Sequence, residues 1–410
     1  MNTLKTITLL ACSLLFGFGT QAQDESFIYG TITTVDDQSY TGAIRWGKEE
    51  VYWSDMFNAS KDKNENLDYL SREEINYLRN RGNNDWIVNN VGIRWDSWDY
   101  ENSFVHQLAI PFGNIQQIEP ISRSQVLVTL RNGKEIEVDG DGYNDIGSKI
   151  QVKDEELGTI ELSWYRIEKI SFLETPKQLD SKFGDPLYGT VKTDIGDFTG
   201  IVQWDHDERL TTDKLDGDTE DGDISIDFGN IKRIQREGYS RSIIELQSGR
   251  ELELHGSNDV NSENRGIIVT VAGIGRVDIP WKSFREVEFT KAPSTDSKYK
   301  AYNKQNKLIA TVTVVNGDTH SGELIFDLDE QYDFEILNGK DDDIEFEIDF
   351  KNIAEIAPKN YNYSKITLKS GRQLVLGDSQ DVSDENDGLI ILTNGKPVYI
   401  PWEKVEAIKF

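Results

Sequence analysis

The sequence predicts an all-β protein assembled from three tandem repeats, and three observations predict it. Short segments recur in the same order: IYGTI at 28–32, LYGTV at 187–191 and LIATV at 308–312. Each copy closes alike, with a tryptophan followed eight residues later by a phenylalanine: Trp164 and Phe172, Trp281 and Phe289, Trp402 and Phe410. Between these marks, apolar residues alternate with polar ones, as in Ile244, Leu246, Leu252 and Leu254, around Ser-Gly or Asn-Gly pairs. Period-two alternation marks half-buried strands, and such pairs mark the hairpins that join them. Ordered self-similarity of this kind is the signature of repeated structural units.

Residues 1–22 read as a signal peptide: Lys5, an apolar run from Ile7 to Phe18, then small and polar residues up to Ala22. The apolar run is too short to span a bilayer as a helix. Leu9, Leu10, Ala11 and Cys12 loosely match a lipobox, so membrane association is expected only if Cys12 is lipidated. A soluble exported protein, periplasmic or secreted, is the expectation. Removal of residues 1–22 takes away the single cysteine, which excludes disulfides, cysteine nucleophiles and thiolate metal sites.

Repeat 1 spans 24–174, with an insertion at about 47–110 that its sisters lack. There Ser71 and Glu74 form a capping box leading a helix toward Gly82. The insertion also gathers Trp53, Trp86, Trp95, Trp98 and Tyr100, residue types that anchor protein partners or stack on sugar rings. These five are the candidate binding residues; burial of their rings against the repeat's own strands is the alternative. A connector (175–186) with two prolines leads to repeat 2 (187–290). A lysine-bearing polar connector (291–307) leads to repeat 3 (308–410). Its positive charge is expected to complement acidic neighbours.

Each repeat is itself doubled. Ile226, Phe228, Ile231 and Ile234 close the first half of repeat 2, and Ile279, Trp281, Phe284 and Val287 close the second at the same spacing. The opening Gly-x-Val strand, the second strand at Gly200 and the closing turn from Phe228 to Ile234 resemble the small five-stranded barrels of the Sm-like and Src-homology-like (SH3) kind. That resemblance implies a pair of small barrels in each repeat and a binding role. Three larger sandwich-like domains are the alternative. An outer-membrane barrel is disfavoured, because Phe172 and Phe289 show that Phe410 belongs to the repeat.

A net charge of -29 repels phosphate backbones, so no nucleic acid partner is expected. No Gly-x-Ser-x-Gly elbow, phosphate loop or dinucleotide fingerprint occurs, and the four histidines show no zinc-type pairing. His320 takes the place of Phe198 and Tyr40, which points to packing. The leading expectation is therefore a non-catalytic envelope or secreted scaffold that binds a protein or a polysaccharide, with no cofactor. A second expectation is calcium-dependent structure or adhesion. Loops following the second-half hairpin place Asp259, Asn261 and Glu263, and Asp381, Glu385 and Asp387, on nearby positions before a glycine, a pattern that suits a hard cation. The alternative is that Asp259 and Asp381 brace a turn by accepting backbone N–H bonds. Repeat 1 shortens this loop and is expected to bind no ion. A hydrolase of envelope polymers, with anonymous carboxylates as acid and base, comes last.

Overall fold

A computed structural model describes residues 24–61, 64–82, 107–140, 143–293 and 298–410. The expected signal peptide lies outside the described residues, as do Trp86, Trp95, Trp98 and Tyr100. Among the described residues the chain is all-β, with two large antiparallel sheets and one α-helix.

Ten strands make the first sheet: β1 (Tyr29–Thr34), β2 (Ser39–Trp46), β3 (Met56–Lys61), β4 (Gln107–Pro111), β5 (Ile115–Pro120), β6 (Gln125–Leu130), β7 (Glu135–Asp139), β8 (Ile150–Asp154), β9 (Gly158–Leu162) and β10 (Ile167–Phe172). They pair in the order β4-β3-β7-β6-β5-β10-β1-β2-β8-β9. The strands within 188–289 (β11–β20) and within 309–409 (β21–β30) repeat this pattern of partners. The register also repeats. Ile32 faces Tyr40, Val191 faces Phe198 and Val312 faces His320, so the histidine does occupy the aromatic position.

The doubled half is visible in the pairing. Strand β5 pairs with β6, as β10 pairs with β1; β3 pairs with β7, as β8 pairs with β2; and β5 meets β10 between them. Each half therefore gives its last three strands to the other half's opening hairpin. The expected closed barrels are not formed: among the described residues no pairing closes either five-stranded part of the ladder, and its end strands β4 and β9 pair only with β3 and β8. The cause is that β2 finds its second partner in β8, deep in the other half, rather than in the next strand of its own. Gly42 marks that close crossing. A Cβ there would lie 1.9 Å from the Lys153 carbonyl oxygen, and Gly200 and Gly322 meet Thr270 and Leu392 in the same way.

Repeats 2 and 3 share hydrogen bonds as well as side-chain contacts. Strand β19 (Gly275–Ile279) pairs with β24 (Ile344–Asp349), from Gly275 opposite Ile348 to Asp278 opposite Glu345, which fuses two ladders into one twenty-stranded sheet. Gly275 has φ +142°, and a side chain there would collide with the Glu347 carbonyl 2.1 Å away. Repeat 1 docks by side chains instead. Phe27, Val51 and Tyr52 pack on Leu210 with Leu179 and Phe183, while Met56 and Ala109 pack on Ile336.

The pairings shorten the insertion. Residues 56–61 and 107–111 form the β3–β4 hairpin, equivalent to the hairpins that end at 219–222 and 341–344, so only 62–106 is extra. Trp53 therefore sits at a repeat-equivalent position beside Thr211 and Asp333, hidden by the low similarity of MFNASK at 56–61 to KLDGDT at 214–219. The helix α1 (Arg72–Gly82) is where the capping box puts it: the Ser71 N–H donates to Glu74 Oε2 at 2.7 Å and the Glu74 N–H to Ser71 Oγ at 3.3 Å. Stretch 291–307 does more than connect. Tyr299 is buried against repeat 1, and its hydroxyl donates to the Ile115 carbonyl at 2.9 Å. Lys298 and Lys300 pair with Glu25 and Glu174, the expected charge complement.

Candidate functional site

One local construction occurs three times. After the second strand of each repeat the chain reverses over four residues and closes a two-bond bridge. Trp46 and Glu50 exchange N–H···O bonds of 2.8 and 3.2 Å, Trp204 and Glu208 bonds of 2.8 and 2.9 Å, and Phe326 and Glu330 bonds of 2.9 and 3.0 Å. The reversal needs a left-handed residue directly after the aromatic one. Gly47 supplies it in repeat 1 at φ +58°, and Asp205 and Asp327 supply it at +47°. Five residues beyond each glutamate a carboxylate pins the following turn. Asp55 Oδ2 accepts the N–H groups of Val51 and Tyr52 at 2.8 Å each, Asp213 those of Arg209 and Leu210, and Glu335 those of Gln331 and Tyr332.

The bridge glutamate meets the aspartate of the second-half loop. Asp145, Asp259 and Asp381 are 2%, 5% and 6% exposed. Each accepts the backbone N–H of the third-strand residue alongside it: Asn58 in repeat 1, Asp216 and Asn338 at 2.6 Å in repeats 2 and 3. Trp46 and Trp204 hold the loop by donating Nε1–H to the carbonyls of Asp145 and Asp259, at 2.8 and 2.9 Å. Asp259 and Asp381 therefore do brace their turns by accepting backbone N–H bonds.

The six residues proposed from the sequence for calcium are not drawn together. Asn261 Oδ1 accepts the Glu263 N–H in a local turn, and Glu263 and Glu385 are exposed. Asp387 Oδ2 lies 3.4 Å from Gln380 Nε2, while Arg81 from α1 donates to the carbonyls of Asp384 and Asn386. Asp259 gathers other partners. Carboxylate oxygens of Asp205, Glu208 and Asp259 lie within 4.8 Å of one another, and those of Glu49, Glu50 and Asp145 do the same in repeat 1. Sequence reading missed the three glutamates, although aligning the repeats on Trp46, Trp204 and Phe326 puts a glutamate four residues later each time.

Crowding of acids in a buried place favours their neutral forms. Burial, then the neighbouring Asp145 and Glu49, pushes Glu50 well above the usual carboxylate range. Burial with Asp259 nearby raises Glu208 to about 9, and burial raises Asp145 to about 7 and Asp259 to about 6. Repeat 3 differs by containing a buried cation, whereas the Arg265 guanidinium at Asp205 and Asp207 in repeat 2 is half exposed. Lys61, from β3 of repeat 1, reaches Asp329 at 2.6 Å and Glu335 at 3.5 Å. A cavity of about 160 Å³ beside it is lined by Glu330, Glu335, Asn338 and Asp381 with Gln107 and Ala109 of β4.

The third cluster has a definite pH signature. Burial raises Asp381 to about 7 from 3.8, with Asp329 adding to the rise. Asp327, Asp329, Glu330 and Glu335 share the cluster with Lys61. A carboxyl whose pKa is raised on folding contributes fully below its unfolded value, and that contribution is lost as the pH climbs through the folded value. In chelator, stability is expected to rise on going from about pH 8 to about pH 5, by on the order of 2 kcal/mol from Asp381 alone. Thermal melting checks this: Asp381→Asn should reduce the slope, and an unchanged slope would exclude Asp381 as a source.

Of the candidate binding residues, only Trp53 is described, and it is fully buried. Its ring stacks on Tyr299 at 4.3 Å and its Nε1–H donates to Thr175 Oγ1 at 2.9 Å. Trp53 is therefore buried within the fold and not displayed to a partner. Comparison of the chain with protein-family models, with curated proteins and with solved structures finds no match in any of the three.

Proposed function

We propose that this chain is an exported, non-catalytic scaffold that engages a protein or polysaccharide partner through the aromatic residues of its insertion, Trp86, Trp95, Trp98 and Tyr100. The export part of the reading rests on the sequence of residues 1–22. The small-barrel resemblance belongs to this proposal too: each half-repeat is read as a small barrel unit whose strands have been traded with its neighbour.

One observation carries the binding reading: both flanks of segment 83–106 are anchored. On one side Leu67, Leu70 and Leu78 pack against Ile325, Leu328 and Ile390 of repeat 3. The Tyr77 hydroxyl donates to Glu403 at 2.7 Å and Arg81 to the Asn386 carbonyl at 2.9 Å. On the other side β4 is paired along its whole length with β3. Anchored flanks lower the entropy lost when a segment engages a partner. Aromatic side chains supply large contact area at small conformational cost.

The test compares the parent chain with a Trp86→Ala, Trp95→Ala, Trp98→Ala variant in affinity electrophoresis against soluble polysaccharides and in capture of envelope proteins. The expected result is at least about a tenfold loss of binding, about 1.4 kcal/mol, at unchanged melting temperature. Interactions that survive the triple substitution intact would overturn the reading.

A further inference from the structure

The bridge glutamates have a feature that bracing does not explain. Glu50 is 8% exposed, and among the described residues its carboxylate has no hydrogen-bond or ion-pair partner. Glu208 Oε2 and Glu330 Oε2 are buried and equally unpartnered. Leaving an ionisable group buried and unmatched is costly, and here a glutamate oxygen is left so at the same position in two repeats, while in the third Glu50 is buried beside Glu49 and Asp145. Each glutamate also faces an aspartate that is held rigidly by a backbone N–H.

We propose that repeats 1 and 2 each bind a hard divalent cation of the calcium class, held by Glu49, Glu50 and Asp145 in one and by Asp205, Glu208 and Asp259 in the other. The spacing fits. Oxygens that bind calcium stand about 2.3–2.6 Å from the ion, so two on opposite sides are separated by about 5 Å. The three carboxylates in each set have oxygens within 4.8 Å of one another, so one central ion reaches all three, and water completes the coordination. Hard oxygen donors without histidine or cysteine favour calcium-like ions over zinc or copper.

The donors are already oriented. Glu50 and Glu208 stand on two-bond bridges, and Asp145 and Asp259 are pinned at their loops. Glu49 Oε1 accepts from Asn144 at 3.0 Å, and Asp205 accepts from the Arg265 N–H at 2.6 Å and from Asn258. These bonds leave lone pairs for an ion. The Arg265 guanidinium is the nearest competitor at Asp205, at 3.4 Å, and it is half exposed. Repeat 3 serves as the internal contrast. Lys61 Nζ, a buried ammonium, sits 2.6 Å from Asp329, so no ion is assigned there, whereas the cation at the counterpart Asp207 in repeat 2, Arg265 at 2.7 Å, is half exposed. Two of the three donors in each set come from the turn after the second strand, which repeat 1 keeps at full length, and the third is the aspartate that opens the second-half loop, which repeat 1 keeps as Asp145. The part of the loop that repeat 1 shortens lies beyond Asp145 and supplies no donor in either set.

This inference stands apart from the aromatic binding reading, and its outcome does not depend on it. The experiment is calorimetric titration of calcium chloride into the chelator-stripped chain, with equilibrium dialysis to count ions. Two ions per chain are expected, with one lost in Glu50→Gln, one lost in Glu208→Gln, and both kept in Glu330→Gln. Each substitution neutralises a bridge glutamate while keeping its shape, and circular dichroism verifies that the variants keep the parent fold. The melting temperature should rise with calcium in the parent and rise less in each single variant of repeats 1 and 2. No binding at millimolar calcium, or a stoichiometry untouched by Glu50→Gln and Glu208→Gln, overturns the proposal.

Discussion

Replacing Arg209 with alanine is expected to cost the fold about 3–5 kcal/mol, because it strands a buried carboxylate at the junction of repeats 1 and 2. The guanidinium donates to Asp55 Oδ1, and both side chains are 4% exposed. Asp55 cannot simply turn to water, because its other oxygen holds the N–H groups of Val51 and Tyr52 at 2.8 Å. Losing the arginine leaves a negative charge in a place built for neutrality, beside the apolar cluster of Phe27, Tyr52 and Leu210. The measurement is urea unfolding of Arg209→Ala, Asp55→Asn and the double variant. The double variant should lose much less than the sum of the two single losses, because removing both charges removes the uncompensated one. A loss below about 1 kcal/mol for Arg209→Ala would place this pair with ordinary surface bridges.

A loss of similar size is expected from Trp53→Ala, about 3–5 kcal/mol for deleting a large buried aromatic side chain. Trp53 ties three separate parts of the chain together. It stacks on Tyr299 of the stretch between repeats 2 and 3, meets Phe172 edge-on at 6.0 Å, and donates to Thr175 at the start of the stretch between repeats 1 and 2. Thr175 Oγ1 in turn donates to the Phe27 carbonyl at 2.7 Å. Trp53→Phe should keep most of the packing and lose chiefly the indole bond, so its cost should be visibly smaller. Denaturant midpoints separate the outcomes. A Trp53→Ala variant as stable as the parent would mean that the ring is not a packing element.

Much of this architecture is legible in the sequence because repetition multiplies a weak signal. One hairpin with a Gly turn says little, whereas three at corresponding positions define a unit, and Tyr40, Phe198 and His320 do land on the same register position. The capping box at Ser71 was equally readable, since its whole mechanism lies within four residues. The trading of strands between halves was not readable. A β1–β2 hairpin has the same local pattern whether its open side meets its own half or the other, and the pairing of β2 with β8 joins residues more than a hundred positions apart. The candidate site was hidden for a different reason. In a chain with 73 acidic residues, an acid in a polar turn draws no attention until burial singles it out. Asp259 was found through its loop, but its companions Asp205 and Glu208 come from a turn some fifty residues earlier.

The joint between β19 and β24 bears on what counts as a part of this protein. Sequence divides the chain into three copies, yet hydrogen bonds run without a break from the second copy into the third. Cutting the chain between residues 290 and 308 would leave both fragments with a bare strand edge, one of them opening at Gly275 where no side chain shields the amides. The copy that recurs and the body that stands alone are therefore different objects: duplication counts three, while independence counts fewer.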